Sequence, residues 1–242
     1  MRNPVIVLEN LQSKTEDDTY TFKRLFRNLY NPDVYLLAYS NIYSTEGNMT
    51  KGCDGNTIDG MSLARIKGII EKIKSHTYKP NPAIRKYILK KNGKKRPLGI
   101  QATDGKLVQE VIRMILESIY DYNFKNTSHG FRPNKSCHTA LKSIQLRFTG
   151  VKWFVEGDIS AYLDNIDHHT LINILRRRIK DEYFIAVIWR FLKAGYIDGD
   201  DKITALKYYG TIVCTEVKKN MIILEACDEK GRATRCNMKS IA

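Results

Sequence analysis

The residues most able to do chemistry sit together in positions 154–168, which read FVEGDISAYLDNIDH. Residues 154–159 have the character of a short buried strand that carries Asp158 to its end. A carboxylate in such a run costs desolvation energy unless it is paired or coordinated. The local pattern serves two roles for Asp158 equally. One is a salt-bridged structural aspartate. The other is a ligand for Mg²⁺, which takes oxygen donors and keeps several waters, and which can support nucleotidyl transfer. The aromatic Tyr162 follows four residues later. Asp164 and Asp167 flank a helix start, where capping and macrodipole compensation account for them better than metal binding does. His168 and His169 are adjacent, so on a helix they point about 100° apart and do not share an ion.

A second constellation is cationic. Residues 86–89 and 95–100 are strand-like and flank Asn92-Gly93, the strongest short signal for a β-hairpin. Arg85, Lys86, Lys90, Lys91, Lys94, Lys95 and Arg96 load this hairpin with positive charge. Lysines protect edge strands from aggregation, but this density reads as phosphate binding. The run Arg176-Arg177-Arg178 with Lys180 serves dipole compensation at a helix end or contact with an RNA backbone equally well. Across the chain 40 Lys and Arg face 26 Asp and Glu, a net charge of +14. That excess, clustered as it is, points to a nucleic-acid partner bound in a salt-dependent way. The 5 cysteines are odd in number and scattered, so reduced thiols are expected rather than a disulfide framework or zinc site. No apolar run has the length of a membrane span, and the N-terminus lacks the parts of a signal peptide. A soluble, intracellular protein without a membrane partner is the expectation.

The elements that must position these residues can be read from periodicity. Residues 1–20 are polar and expected to be loosely ordered. Residues 21–40 read as two helices joined at Asn31-Pro32. A glycine-rich loop over 45–60 precedes a helix over 62–75 with Ile66, Ile69, Ile70 and Ile73 on one face. After the hairpin, residues 104–122 form an amphipathic helix with Leu107, Val108, Val111, Ile112, Ile115 and Ile119 inward. A loop over 129–134 leads into a helix over 136–147, and 151–159 is the strand ending near Asp158. Asn165 or Asp167 caps a helix over 168–180. A further helix spans 182–193 and closes at Gly195. In the tail, 211–217 and 221–224 can pair as strands.

Five segments in this order resemble the N-terminal half of a bacterial group II intron-encoded reverse transcriptase, or maturase. They are Lys51-Gly52-Cys53-Asp54-Gly55, then Lys94-Lys95-Arg96-Pro97-Leu98-Gly99-Ile100, then His129-Gly130-Phe131-Arg132-Pro133-Asn134-Lys135-Ser136, then the 156–168 run, and then Phe191-Leu192-Lys193-Ala194-Gly195-Tyr196. Each is weak alone; the ordered set is specific and covers residues 20–211. The resemblance implies an α+β fold: right-hand polymerase fingers and a partial palm, an antiparallel sheet with packed helices. It implies a helical, RNA-gripping extension over 1–75, fingers and partial palm over 76–211, and a divergent tail of unknown fold over 212–242. Asp158 would be the catalytic, metal-binding aspartate, with the Ile159 carbonyl a second ligand for Mg²⁺ (Mg2+). Lys90 and Arg96 would grip the incoming dNTP, and Tyr162 would lie under its sugar, where the family often carries Phe. Lys51, Lys91, Lys94, Lys95, Arg132 and Lys135 would bind RNA. The partners implied are group II intron RNA, or template RNA with its primer, and dNTP, in a bacterial cytoplasm.

The sequence departs from the family pattern near its end. After Ala194-Gly195-Tyr196 the family continues with Gly-Thr-Pro-Gln-Gly-Gly and later a Tyr-x-Asp-Asp turn. Here Tyr208-Tyr209-Gly210-Thr211 begins to match and Ile212-Val213-Cys214-Thr215 does not. The adjacent acids Asp17-Asp18 and Asp200-Asp201 stand in polar loops, so the Tyr-x-Asp-Asp motif is missing from these residues. A two-metal centre needs several carboxylates to hold its cations. The expectation is therefore a truncated, RNA-binding reverse transcriptase that is catalytically incomplete by itself. The alternative is a non-catalytic RNA-binding module that assists intron folding and splicing. A change of reading frame after Thr211 would explain a match that stops mid-motif, and so would a variant with a new C-terminus.

Overall fold

The computed structural model describes residues 3–45, 47–91, 93, 95–153, 157, 159 and 166–199, together with the backbone alone of 201–203, 211–218, 221–227 and 233–235. In chain order the elements are α1 (Pro4–Ser13), α2 (Pro32–Tyr43), α3 (Leu63–Lys74), β1 (Ala83–Leu89), β2 (Lys95–Ile100), α4 (Thr103–Tyr120), α5 (Cys137–Arg147), α6 (His168–Arg178), α7 (Glu182–Lys193), β3 (Tyr196–Asp198), β4 (Asp201–Ile203), β5 (Thr211–Lys218), β6 (Met221–Cys227) and β7 (Ala233–Arg235). The class is α+β. Two compact units form, one from 1–123 with 172–206 and the other from 124–171 with 207–242.

The first unit is built around α4. Leu107, Val108, Val111, Ile112, Ile115 and Ile119 recur at helical spacing and are all buried. They share one core with Ile66, Ile69, Ile70 and Ile73 of α3, with Val34, Tyr35 and Ala38 of α2, and with Ile172, Leu175, Phe184, Ile185 and Ile188 from α6 and α7. Tyr35 is enclosed, and its hydroxyl donates to the Leu29 carbonyl at 3.1 Å. Burial pushes its pKa up, so it stays a neutral donor. Residues 22 and 179 form a parallel bridge: the Phe22 N–H donates to the Arg178 carbonyl and the Lys180 N–H to the Phe22 carbonyl, each at 2.8 Å. Asp181 is buried and caps α7 by accepting from the Phe184 N–H at 3.2 Å, and it also accepts from the Phe26 N–H at 2.8 Å.

The sheet of this unit has the order β2-β1-β3-β4. The β1–β2 hairpin is antiparallel, with Ile88 opposite Arg96 and Lys86 opposite Leu98. The expected antiparallel sheet is in fact mixed, because β3 runs parallel to β1 over Ala83↔Tyr196 and Ile84↔Ile197. The long helical excursion between β1 and β3 is what permits that parallel pairing. The expected loose N-terminus is also corrected: residues 4–13 are helical. Asn3 accepts from the Val5 N–H at 2.9 Å and Pro4 fills the first helical position, which together are a helix start signal. Leu8 and Leu11, three apart, pack this helix against the core.

In the second unit α5 opens with a capping box between Ser136 and Thr139, and none of its residues is buried. The strand expected over 151–159 is not formed by its described residues: Val151, Lys152, Trp153, Gly157 and Ile159 pair with no strand, and Val151 and Trp153 are exposed. A strand needs ladder partners for its backbone groups, and none is placed beside these residues among those described. Helix α6 starts as expected at His168, with Asp167 accepting from the Thr170 N–H at 2.6 Å. The tail forms the antiparallel order β5-β6-β7, with an irregularity between Cys214 and Glu216.

Candidate nucleic-acid interface

Strand parity divides the hairpin's side chains between two faces. Arg85 and Tyr87 share one face with Lys95 and Pro97; Lys86 and Ile88 share the other with Arg96 and Leu98. The first face is tethered. The Arg85 guanidinium lies 3.6 Å from the centroid of the Tyr196 ring, and the Tyr87 hydroxyl donates to Asp198 Oδ2 at 2.6 Å. That bond raises the Tyr87 pKa, with Arg85 opposing. The second face is open: Lys86, Ile88, Arg96 and Leu98 are exposed. Lys90 lies one residue past β1, continues the parity of Lys86 and Ile88, and accepts the Gly93 N–H on its carbonyl at 2.9 Å. The structure thus brings Lys90, Lys91, Lys95 and Arg96 onto one arm, with Lys90 and Arg96 on its untethered side. Among the described residues none of these cations has an ion pair. They are free to meet phosphate oxygens, for which charge-assisted bonds are strong.

Lys51 sits in the glycine-rich loop and is exposed. Its neighbours fasten the loop to the start of α4. Arg65 bridges Asp54 at 3.3 Å and Asp104 at 2.6 Å. The Thr103 hydroxyl donates to the Asn56 carbonyl at 3.0 Å and Lys106 Nζ to the Thr50 carbonyl at 3.2 Å. Burial lowers the Lys106 pKa while Asp54 opposes that shift. Gly52 is pressed against the backbone of Gln101 and Ala102, where a Cβ would meet the Ala102 Cα at 2.4 Å.

In the second unit Arg132 Nη1 donates to the carbonyls of Lys125 at 3.0 Å and Ser128 at 3.1 Å, and its guanidinium lies 5.4 Å from the centre of the Phe124 ring. Its side chain therefore braces the loop that also carries Lys135. Asp158, Tyr162 and Lys94 lie outside the described residues. Ile159 is 42% exposed. Among the described residues no group of three His, Cys, Asp or Glu could hold a metal ion, and no helix is long and apolar enough to cross a membrane.

A feature that periodicity does not reveal is a groove of about 560 Å³ between α1 and residues 20–31. Lys14, Lys23, Arg24 and Arg27 line it with Tyr20 and Tyr30, and among the described residues no carboxylate does. Lys14 Nζ stands 5.2 Å from the Tyr20 ring centre. The missed signal was Asn3-Pro4, since without α1 this groove has only one wall.

Residues 88–214, over half of the chain, match the family described as Reverse transcriptase (RNA-dependent DNA polymerase). The chain belongs to the reverse transcriptase family. It is 50% identical over 200 residues to the group II intron-encoded protein LtrA of Lactococcus lactis subsp. cremoris, covering 82% of this chain and 33% of that protein. It is 43% identical over 201 residues to an uncharacterized 91 kDa protein in the cob intron of Schizosaccharomyces pombe, covering 81% and 25%. Protein YkfC of Escherichia coli is 35% identical over 190 residues, covering 75% and 50%. The group II intron-encoded reverse transcriptase character carried by the five motifs holds. This reverse transcriptase chain spans a third of the length of the L. lactis protein and a quarter of the S. pombe one.

Proposed function

We propose that these residues are the fingers and part of the palm of a group II intron-encoded reverse transcriptase, and that they bind intron RNA or template RNA with its primer. The observation that carries this reading is the cationic hairpin of a reverse transcriptase family member, tethered on one face and open on the other. Lys90 and Arg96 grip the incoming dNTP triphosphate, and Tyr162 lies under its sugar. Lys51, Lys91, Lys94, Lys95, Arg132 and Lys135 contact RNA, and residues 1–75 add contacts of their own through the groove of Lys14, Lys23, Arg24 and Arg27. Stacking on Tyr20 and Tyr30 suits unpaired bases, since every base has a face to stack.

Asp158 with the Ile159 carbonyl is an oxygen donor set of the kind Mg²⁺ takes. When bound, the metal supplies charge stabilisation for attack of a primer 3′-hydroxyl on the α-phosphate of a dNTP. One carboxylate does not make a two-metal centre, and no Tyr-x-Asp-Asp occurs in these 242 residues. By themselves they are therefore catalytically incomplete. The same observation favours a second reading, an RNA-binding module that assists intron folding and splicing.

The test is the affinity for a group II intron RNA between 50 and 200 mM salt. Log affinity should fall linearly with log salt, as expected for counterion release. Replacing Lys91, Lys94 and Lys95 together by Ala should reduce the slope by about 2 units and weaken binding roughly tenfold or more. A micromolar or weaker affinity that ignores salt would overturn RNA binding in both readings.

A further inference from the structure

Resting on the reading of Lys90 and Arg96 as triphosphate ligands, we infer that Tyr87 and Asp198, backed by Arg85 on Tyr196, are positioning residues that set the pose of the hairpin. The β1–β3 ladder comprises Ala83↔Tyr196 and Ile84↔Ile197. Beyond Ile84 the arm continues through five more residues of β1, Arg85 to Leu89, without a backbone partner on the β3 side among the described residues. A two-stranded ribbon twists and bends readily, so a hinge at Ile84 would swing Lys90 and Arg96 over several ångströms.

Two side-chain contacts oppose that swing. Arg85 reaches back diagonally to Tyr196, and Tyr87 reaches back diagonally to Asp198, on the same face and with the same offset. Diagonal cross-strand neighbours are within reach of aromatic and long side chains. The Tyr87 bond, at 2.6 Å to a carboxylate, is of the charge-assisted kind. Both contacts use the face opposite Arg96, so the clasp holds the arm without occupying its phosphate-binding side. It also joins two of the family-like segments, since Tyr87 flanks the hairpin motif and Tyr196 ends the Phe191–Tyr196 motif. Triphosphate binding then gains from a pose set in advance.

The experiment uses the 242-residue chain, a base-labelled deoxythymidine triphosphate with Mg²⁺, and amide hydrogen exchange of residues 85–98. Tyr87→Phe should weaken nucleotide binding about three- to tenfold and speed hairpin exchange, with the melting temperature essentially unchanged. Asp198→Asn keeps an acceptor oxygen and should do less. The double variant should be no worse than Tyr87→Phe. Arg96→Ala should abolish nucleotide binding without changing exchange. Unchanged affinity and unchanged exchange in Tyr87→Phe would overturn the inference. If the unaltered chain binds no labelled nucleotide, the triphosphate reading fails instead, and exchange alone decides the clasp: faster exchange supports it and unchanged exchange refutes it.

Discussion

Gly52→Ala should destabilise the protein by about 3 kcal/mol, the upper range for forcing a methyl group into a packed site. The added Cβ would lie 2.4 Å from the Ala102 Cα, 2.8 Å from the Ala102 nitrogen and 2.8 Å from the Gln101 oxygen. Those are backbone atoms at the start of α4, and they cannot rotate away as a side-chain end can. Relief requires the loop to lift, which breaks the Arg65 bridge to Asp54 and the Lys106 bond to the Thr50 carbonyl together. Gly55→Ala is the control. Gly55 has φ +69° with nothing within 4 Å of an added Cβ, so it carries only the left-handed backbone penalty of about 1 kcal/mol. Thermal unfolding should show the Gly52 variant melting roughly 6–12 °C below the parent and the Gly55 variant much closer to it. Equal small shifts would mean that the loop is not pinned to α4. Because Lys51 rides on this loop, the Gly52 variant should also lose RNA affinity that the Gly55 variant keeps.

Asp181→Ala should cost about 3 kcal/mol by a different route. The carboxylate is buried and accepts from the N–H groups of Phe26 and Phe184. Removing it deletes a helix N-cap, worth about 1 kcal/mol, and leaves a second buried donor unsatisfied at about 1–3 kcal/mol. Asp181→Asn retains an acceptor oxygen and should lose roughly 1 kcal/mol. Denaturant melts of the three proteins, with unchanged slopes, would check this order. An Ala variant no weaker than Asn would mean that water replaces the carboxylate without penalty.

Much of the core is legible in the sequence because burial repeats at helical spacing. The isoleucines of α3 and the apolar positions of α4 follow from periodicity, and both sets are buried. The hairpin is legible for a chemical reason, since Asn92-Gly93 between strand-like runs admits few other conformations. What periodicity cannot show is pairing between distant segments. Tyr87 stands in a strand-like run, and nothing in the sequence joins it to Asp198 until the parallel β1–β3 register brings them together. Gly52 reads as part of a glycine-rich loop, and what the sequence does not show is its close approach to a helix start. The helix α1 escapes periodicity because Val5, Ile6, Val7 and Leu8 are consecutive apolar residues rather than one face, and of its apolar residues Leu8 and Leu11 are the ones packed on the core. The Asp158 constellation rests on resemblance, because Asp158 and Tyr162 lie outside the described residues.

Whether these 242 residues bind RNA without a working metal centre is decided by primer extension on a bound RNA template, with dNTPs and Mg²⁺, beside the same reaction without protein. The RNA should be retained, and DNA synthesis should stay at the level of the protein-free blank. Synthesis above that blank, lost in Asp158→Ala, would contradict catalytic incompleteness by showing that a metal centre works without a Tyr-x-Asp-Asp turn.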